Sequence, residues 1–385
     1  MKMFKSKILV TFYFILFSVS YVLLPYFFVG DLYKNEIVKI SFFVLISSCC
    51  FFLVLNFTPK LRSKFLVLNF EKVALSIYFI FVFIFLVTII TAPKIPLIES
   101  IRGADRAELN VYRELFLKAR SGWQLLLSYF NAIITGAIFP FIILLSFERN
   151  YKFRYLFLLS FFVYSISFLE KAYFLKFLIP FMIFKYVEAR NKKTFLLHGM
   201  ILTISFLLVM VQLSGMSNHE MDDMSNSFFS TQFVSNNPLE ALLWRSIVIP
   251  VLTALDGVKV FTDVFNSNYF NGATSSFISG LIGMERVNFE RELFFNQWGQ
   301  NETETGNANA VFLLEAFVNY GYFGICIFSI IAASTMQVLA NSSYLSSRCF
   351  VFLFIFNLFN AGLIGILLSN GFLLLLIFVK FVRFK

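Results

Sequence analysis

The chain has 385 residues, of which 59% are hydrophobic and only 14% charged, and its mean hydropathy is +0.79. These values exclude an ordinary soluble domain. The formal net charge of +10 does not indicate nucleic-acid binding, because most Lys and Arg residues lie in short segments between apolar stretches.

Apolar stretches of the length needed for membrane crossing recur along the chain. A helix of about 20 apolar residues crosses the hydrocarbon core of a bilayer. The first stretch follows Lys2, Lys5 and Lys7 and is too long for the core of a signal peptide. The sequence therefore predicts an all-α polytopic integral membrane protein, a single membrane domain over residues 1–385. Its ten transmembrane helices are expected at about 8–29, 37–57, 73–92, 123–147, 155–169, 172–187, 194–213, 308–333, 349–365 and 366–381.

The Lys and Arg distribution predicts the orientation of these helices. Short cytoplasmic loops carry an excess of basic residues. The basic groups at 60–72, 149–154, 190–193 and 380–385 fall on one side if both termini are cytoplasmic. Two long segments, at about 93–122 and 214–306, then lie on the outer face as loops.

The larger outer segment is acidic, with eleven Asp and Glu residues against four Lys and Arg. It also contains Trp244, Trp298 and many Phe residues, which argues against simple disorder. Connections of this length are usually functional or disordered. We expect short helices packed on the membrane bundle, for example over residues 238–265.

The smaller outer segment carries a row of arginines. If it is helical from Ile101, residues 102, 106, 113 and 120 fall within about 40° of one another at 3.6 residues per turn. Tyr112, Leu115 and Phe116 form an apolar stripe beside them. This pattern predicts an amphipathic helix at the membrane interface.

Arginine suits phosphate and pyrophosphate because its planar fork donates two hydrogen bonds at once. On the outer face of a membrane, the expected phosphorylated ligand is a lipid-linked one. The alternative is that these residues pair with neighbouring acids or contact lipid head groups. The candidates for an anion site are Arg102, Arg106, Arg113, Arg245, Arg286 and Arg291.

Glu315 is a carboxylate inside an apolar stretch. With a helix capped at Asn307, it would lie about 12 Å along the axis, and Asn319 and Tyr322 would follow on the same face. An ionisable group at that depth suggests a functional site. The alternative is a structural hydrogen bond that ties the helix to the preceding loop.

Other chemistry has little support in the sequence. His219 lies alone in a polar stretch, and there is no Walker loop or HExxH motif. Cys49, Cys50, Cys326 and Cys349 form no CxxC pair. We therefore expect neither a metal nor a cofactor.

Three sequence segments resemble a known family. RSIVIP at 245–250, YFNG at 269–272 and GNANAVFLLEAFVNYGYFG at 306–324 are similar to segments of Wzy-type polymerases of O-antigen and capsule repeat units. The resemblance extends to the arrangement of ten spans with two outer-face loops. It implies a bacterial inner-membrane protein that acts on the periplasmic face.

The resemblance also implies the reaction. A sugar hydroxyl of a lipid-linked repeat unit would attack the anomeric carbon of a growing glycan, and undecaprenyl pyrophosphate would leave. Cations would stabilise the leaving pyrophosphate without a metal, and a carboxylate would take the hydroxyl proton. On this reading Glu315 and Arg286 are the catalytic candidates. The binding candidates are Arg102, Arg106, Arg113, Arg245, Arg291, Asn319 and Tyr322, and the segment 101–120 is expected to face residues 245–291 across the lipid-pyrophosphate.

The partners implied are the undecaprenyl-pyrophosphate-linked glycan, membrane lipid and a polysaccharide chain-length regulator. Two other functions stay open. A lipid-linked oligosaccharide flippase is a transporter that usually has short loops, which the 214–306 segment is not. An O-antigen ligase has a similar topology but typically uses an outer-loop histidine, and His219 lies in a poor context for that role.

Overall fold

The computed structural model describes residues 4–57, 66–104, 106–117, 120–169, 171–189, 191–195, 197, 199, 227–231, 233, 238–299 and 306–385. Within these ranges the chain is mostly helical, with one sheet of two short parallel strands. This agrees with the predicted all-α membrane class. Most of the predicted seventh span, 194–213, and His219 lie outside the described residues.

The helices follow one another with few long connections. The N-terminal half contains α1 (Ser6–Val29), α2 (Lys34–Phe57), α3 (Phe70–Thr91), α4 (Pro96–Ile101), α5 (Arg106–Leu117), α6 (Gln124–Glu148), α7 (Arg154–Ser167) and α8 (Lys171–Glu188). The C-terminal half contains α9 (Pro238–Leu243), α10 (Ile249–Asp263), α11 (Ser276–Ile282), α12 (Phe289–Trp298), α13 (Phe312–Ala340), α14 (Leu345–Asn360), α15 (Leu363–Leu367) and α16 (Phe372–Phe381).

Three π-helical turns and two strands complete the secondary structure of the described chain. The π turns are Val19–Leu23 within α1, Ile134–Ile138 within α6, and Trp244–Val248 between α9 and α10. The strands β1 (Leu66–Leu68) and β2 (Val382–Phe384) pair in parallel.

Five helices are long and apolar enough to cross a membrane: α1, α2, α3, α6 and α13. Their outward-facing side chains are also apolar, since Phe27 is 75% exposed, Phe83 66% and Ile90 78%. A protein in water rarely exposes so much large apolar surface, so hydrocarbon is the natural environment of these faces. These five helices overlap the predicted spans at 8–29, 37–57, 73–92, 123–147 and 308–333. The shorter apolar helices α7, α14 and α16 overlap three others.

The chain forms two compact units. Unit 1 comprises Met1–Lys60, Glu220–Gln337 and Phe354–Ile366, and unit 2 comprises Leu61–His219, Val338–Leu353 and Leu367–Lys385. Unit 1 therefore contains α1, α2, α9–α12 and most of α13. Unit 2 contains the helices α3–α8, α16 and the small sheet.

Polar side chains fix the packing of α1, α2 and α13 within unit 1. The hydroxyls of Tyr13 and Ser47 are 2.6 Å apart, and Ser329 donates to Ser47 Oγ at 2.8 Å. The Tyr21 hydroxyl donates to the Phe359 carbonyl at 2.5 Å. In an apolar environment, hydrophobicity alone does not fix how one apolar helix packs against another. Hydrogen bonds of this kind set the register between such helices.

The helical run α9–α10 lies across the end of the α1–α2 hairpin that carries the turn between those helices. Near its start, the indole N–H of Trp244 donates to the Ser230 carbonyl at 2.8 Å. The ring of the preceding residue, Phe229, stacks on Phe28 at 4.5 Å. Further along, Asp256 accepts a hydrogen bond from Tyr33 in the α1–α2 turn. The run thus contacts this end of the hairpin directly at Tyr33 and, through Phe229, at Phe28. It matches the short helices expected over residues 238–265.

Unit 2 is built on α3, which packs against α5, α6 and α7. The side chain of Asn69 caps α3 by accepting the Lys72 amide at 3.2 Å. At the far end of α6, the Glu148 carboxylate accepts the Leu345 and Ser346 amides at 3.0 and 2.8 Å. Carboxylates are favoured at helix N-termini because they accept otherwise unpaired amides.

The predicted arginine row is not one continuous helix. Gly103 adopts a φ of 91°, which glycine tolerates and other residues rarely do, and α4 ends at Ile101 before α5 begins at Arg106. Arg102 lies in this turn, and Arg120 lies beyond the end of α5. The prediction of a single helix from Ile101 was therefore wrong, because the chain turns at Gly103.

Arg120 holds two elements of unit 2 together. Its guanidinium is almost fully buried and donates to the Phe116 carbonyl at 2.8 Å, to Thr91 Oγ1 at 2.7 Å and to the Thr88 carbonyl at 3.1 Å. Burial lowers the pKa of this guanidinium. The bonds join the end of α3 to the end of α5, so Arg120 has a structural role.

We expect Arg120→Ala to lower the free energy of unfolding by about 2–4 kcal/mol, because two buried carbonyls and the half-buried Thr91 hydroxyl lose their donor. Arg120→Lys should recover only part of this loss, since an ammonium cannot reproduce the planar fork. Thermal unfolding of the detergent-solubilised protein measures both effects. The control is Arg102→Ala, whose guanidinium is 70% exposed. Equal melting temperatures for the Arg120→Ala variant and the unsubstituted protein would contradict this structural role.

Candidate functional site

A break in α13 is the central feature of unit 1. Tyr320 has φ −140° and ψ 16°, and Gly321 has φ 63° and ψ −150°, so neither residue is helical. The Gly321 combination is essentially restricted to glycine. The break changes the direction and the phase of the helix after Asn319.

Asn319 fastens a loop to this break. Its side chain is fully buried and accepts the Gly272 amide at 2.9 Å. The same side chain donates to Thr274 Oγ1 at 2.8 Å and to the Glu315 carbonyl at 2.7 Å. All three hydrogen bonds have ordinary geometry, so the Asn319 amide connects Gly272 and Thr274 of one loop to the first turn of α13.

Backbone hydrogen bonds complete this connection, called the joint, between the loop 269–274 and residues 315–319 of α13. The amide of Phe270 donates to the Val318 carbonyl at 3.0 Å, and the amide of Asn271 donates to the Asn319 carbonyl at 3.0 Å. In an unbroken helix, these carbonyls would accept amides one turn further along. The loop 269–274 therefore occupies the place that the next helical turn would have taken.

Glu315 lies four residues before Asn319, in the first turn of α13. Its Oε2 accepts the Ile364 amide at 3.4 Å, in the first turn of α15. A methyl group at Gly362 would be 2.7 Å from the carboxylate carbon, so a larger residue there would have to displace the Glu315 side chain. The carboxylate thus caps α15, which differs from the expected bond to an Arg or Asn of the loop.

The predicted helix start at Asn307 was wrong, because α13 begins at Phe312. The preceding residues are held in an extended conformation by Glu290, whose backbone carbonyl accepts the Ala308 amide at 3.0 Å. The side chain of Glu290 also accepts the Ala310 amide at 3.3 Å. Both bonds tie the residues before α13 to α12. Glu315 is consequently nearer the helix start than the sequence predicted.

Glu290 is itself a mostly buried carboxyl group. Burial raises its pKa, while the bond from the Ala310 amide and the positive charge of Arg286 act in the opposite direction. Its negative charge is also close enough to act on Glu315. Unit 1 therefore brings two acidic side chains, Glu290 and Glu315, near one another.

Asp256 on α10 is a third carboxylate in unit 1, and sequence reasoning missed it. Its Oδ1 accepts the Tyr33 hydroxyl at 2.5 Å, and its Oδ2 accepts from Gln297 Nε2 at 2.8 Å. Burial, and to a lesser degree the charge of Glu36, raise the pKa of Asp256, whereas Lys259 and both hydrogen bonds lower it. The sequence signal was a single Asp in the apolar stretch IPVLTALDGV (249–258). The acidic composition of the whole 214–306 segment obscured this signal.

Tyr322 does not share a face with Glu315 and Asn319. The break at Tyr320 and Gly321 resets the helical phase before it. Its ring instead packs edge-on against Phe317 at 5.6 Å and is 46% exposed. The prediction that all three residues line one face was therefore wrong, because it assumed an unbroken helix.

The predicted anion-site arginines are divided between the two units. Arg245, Arg286 and Arg291 belong to unit 1 and are exposed. Arg102, Arg106 and Arg113 belong to unit 2. Arg102 forms an exposed ion pair with Glu99 at 2.8 Å, a type of contact that contributes at most about 1 kcal/mol. Arg106 is the first residue of α5 and Arg113 lies on the same helix, while the side chain of Arg106 lies outside the described part of the structure.

An apolar cavity lies close to the joint in unit 1. It is lined by side chains of α1, α2, α10 and the start of α13, including Tyr21, Phe43, Ala254 and Leu314. Its volume is about 10 Å³, which is near the minimum needed for one water molecule. This cavity is too small for a sugar.

Comparison with known proteins identifies no relative. No family model matches the chain, and no match was found among the curated proteins or the solved structures.

We expect Asn319→Ala to lower the free energy of unfolding by about 2–4 kcal/mol, because the buried Gly272 amide loses its acceptor. Asn319→Asp keeps that acceptor but brings a carboxylate against the Glu315 carbonyl, so it should also destabilise. The control is Asn268→Ala, an exposed substitution in the same loop. Tryptophan fluorescence during thermal unfolding measures all three. An Asn319→Ala variant as stable as the control would show that the joint contributes little.

Proposed function

We propose that the protein polymerises lipid-linked oligosaccharide repeat units at the outer face of a bacterial inner membrane. The observation that carries the proposal is the joint in unit 1. The segments YFNG (269–272) and GNANAVFLLEAFVNYGYFG (306–324), two of the three that resemble Wzy-type polymerases, are joined by three hydrogen bonds to Val318 and Asn319 atoms. Segments that resemble one family and also meet in space are the expected arrangement for a shared functional region.

The proposed protein has ten transmembrane helices with both termini in the cytoplasm. The five long apolar helices and the three shorter ones supply eight of the ten, and α8 and residues 194–213 supply the others. In this arrangement the 93–122 and 214–306 segments face the periplasm. Helix α10 then lies over the outer end of α1 and α2 as part of the larger segment.

The proposed reaction transfers a glycan from undecaprenyl pyrophosphate to a sugar hydroxyl. The hydroxyl oxygen forms a bond to the anomeric carbon of the donor, and the bond between that carbon and the pyrophosphate breaks. Arginines stabilise the negative charge of the leaving pyrophosphate. The candidates for this role are Arg102, Arg106, Arg113, Arg245, Arg286 and Arg291.

The attacking hydroxyl also needs a base. Glu315 is the carboxylate that the sequence suggests, with Asn319 beside it in the same joint. A positioned carboxylate contributes about 10²–10⁴-fold to a rate through proton transfer. The partners are the lipid-linked glycan, membrane lipid and a chain-length regulator, and the chemistry requires neither a metal nor a cofactor.

Deletion of the gene in the host bacterium tests this function. We expect lipopolysaccharide gels to show the core capped by a single repeat unit, because attachment continues while polymerisation stops. Expression of the unsubstituted protein should restore the ladder. Complete loss of O-antigen would instead support a flippase or a ligase, and an unchanged ladder would exclude all three O-antigen functions.

Alanine variants of Arg102, Arg113, Arg286 and Glu315 test the residues in the same strain. We expect each to give the single-repeat pattern while still inserting into the membrane, since a lost charge at the pyrophosphate slows the reaction by about 10²–10³-fold. The matched control is Arg154→Ala, an arginine bonded to Asn150 beside the proposed cytoplasmic loop. Normal ladders from all four variants would refute the assignment of these residues.

A further inference from the structure

The position of Asp256 bears on the proton that the proposed reaction must remove. Asp256 lies on α10, and its carboxylate is reached by Tyr33 from the α1–α2 turn and by Gln297 from α12. Three separate elements of unit 1 thus converge on one side chain. The residue as a whole is mostly buried and retains an exposed fraction.

The two hydrogen bonds orient the carboxylate without occupying all of its acceptor positions. Each oxygen accepts one bond, from Tyr33 at 2.5 Å and from Gln297 at 2.8 Å. A carboxylate has about four acceptor positions in total. Both oxygens therefore keep the capacity to accept a hydrogen bond from a sugar hydroxyl. Gln297 is held in turn by Thr253 Oγ1 at 3.4 Å.

The charges that face Asp256 favour a proton acceptor. Lys259, on the same helix, stabilises the carboxylate, while Glu36, at the start of α2, opposes it. Burial is the largest influence and raises the pKa of Asp256 above its ordinary value. A general base is most effective when its pKa approaches the working pH, because it is then deprotonated yet still basic.

Glu315 is engaged differently. One of its oxygens accepts the Ile364 amide, and its carboxylate carbon lies against Gly362. These contacts are with the backbone of the segment that α15 begins, so the carboxylate supports the local fold. Asp256 is instead bound by the side chains of Tyr33, from the α1–α2 turn, and of Gln297, from α12.

We infer that Asp256 removes the proton from the attacking sugar hydroxyl, and that Tyr33 and Gln297 position it. This inference rests on the proposed polymerase function. As the hydroxyl oxygen bonds to the anomeric carbon, its proton passes to a carboxylate oxygen of Asp256. The electron pair of the broken bond leaves with undecaprenyl pyrophosphate. No oxidant, reductant or metal is needed for this balance.

The test uses the full-length protein in detergent with lipid-linked repeat units extracted from the deletion strain. We expect Asp256→Asn to slow polymerisation by about 10²–10⁴-fold. The matched control is Asp263→Asn, the same substitution at an exposed position of α10, which should not change the rate. An Asp256→Asn variant of normal rate overturns the inference.

The pH dependence of the rate provides a second readout. The Tyr33 hydroxyl stabilises the Asp256 carboxylate, so Tyr33→Phe should raise the pKa of Asp256. We expect the rising limb of the pH–rate profile to move to higher pH by about one unit, since hydrogen bonds to charged groups have roughly this strength. A structural effect alone would lower the rate at every pH without moving the limb.

The outcomes separate the inference from the function on which it rests. If the deletion strain keeps a full ladder, the polymerase function fails. If the ladder is lost but Asp256→Asn polymerises normally, only the inference fails. If Asp256→Asn does not insert into the membrane, the Tyr33→Phe profile decides, and an unmoved limb overturns the role of Asp256.

Discussion

The joint at Asn319 is the interaction on which unit 1 depends. A helix that breaks inside an apolar protein leaves amides and carbonyls without partners, and each such buried group costs about 1–3 kcal/mol. The loop 269–274 and the side chain of Asn319 supply those partners at the break after Asn319. The loop thereby becomes part of the helix packing, and the direction of α13 on either side of the break is fixed.

Three acidic side chains of unit 1, Asp256, Glu290 and Glu315, show how different partners give carboxylates different roles. Glu290 accepts the Ala310 amide and fixes the extended segment before α13, and Glu315 accepts the Ile364 amide and caps α15. Both act on the backbone. Asp256 is held by the side chains of Tyr33 and Gln297, which leaves it oriented for another partner. Composition alone does not distinguish these roles, because the hydrogen-bond partners come from distant parts of the chain.

Much of the fold could be predicted because crossing a membrane is a local requirement. An apolar stretch of sufficient length forms a helix whatever its neighbours are, since its backbone groups must be bonded internally. The helix α13 was located in this way. The extent of the predicted arginine helix was wrong, because the sequence pattern ignored the turn at Gly103.

The sequence by itself determined the membrane class, the positions of the apolar helices and the residues of the YFNG and EAFVNYG segments. Only the tertiary structure decided that those segments meet, that Glu315 caps α15 and that Asp256 is bound by Tyr33 and Gln297. The physical reason is that hydropathy accumulates along neighbouring residues, whereas these hydrogen bonds join residues from 41 to 223 positions apart. The pattern of a single chain carries no record of such distant partners.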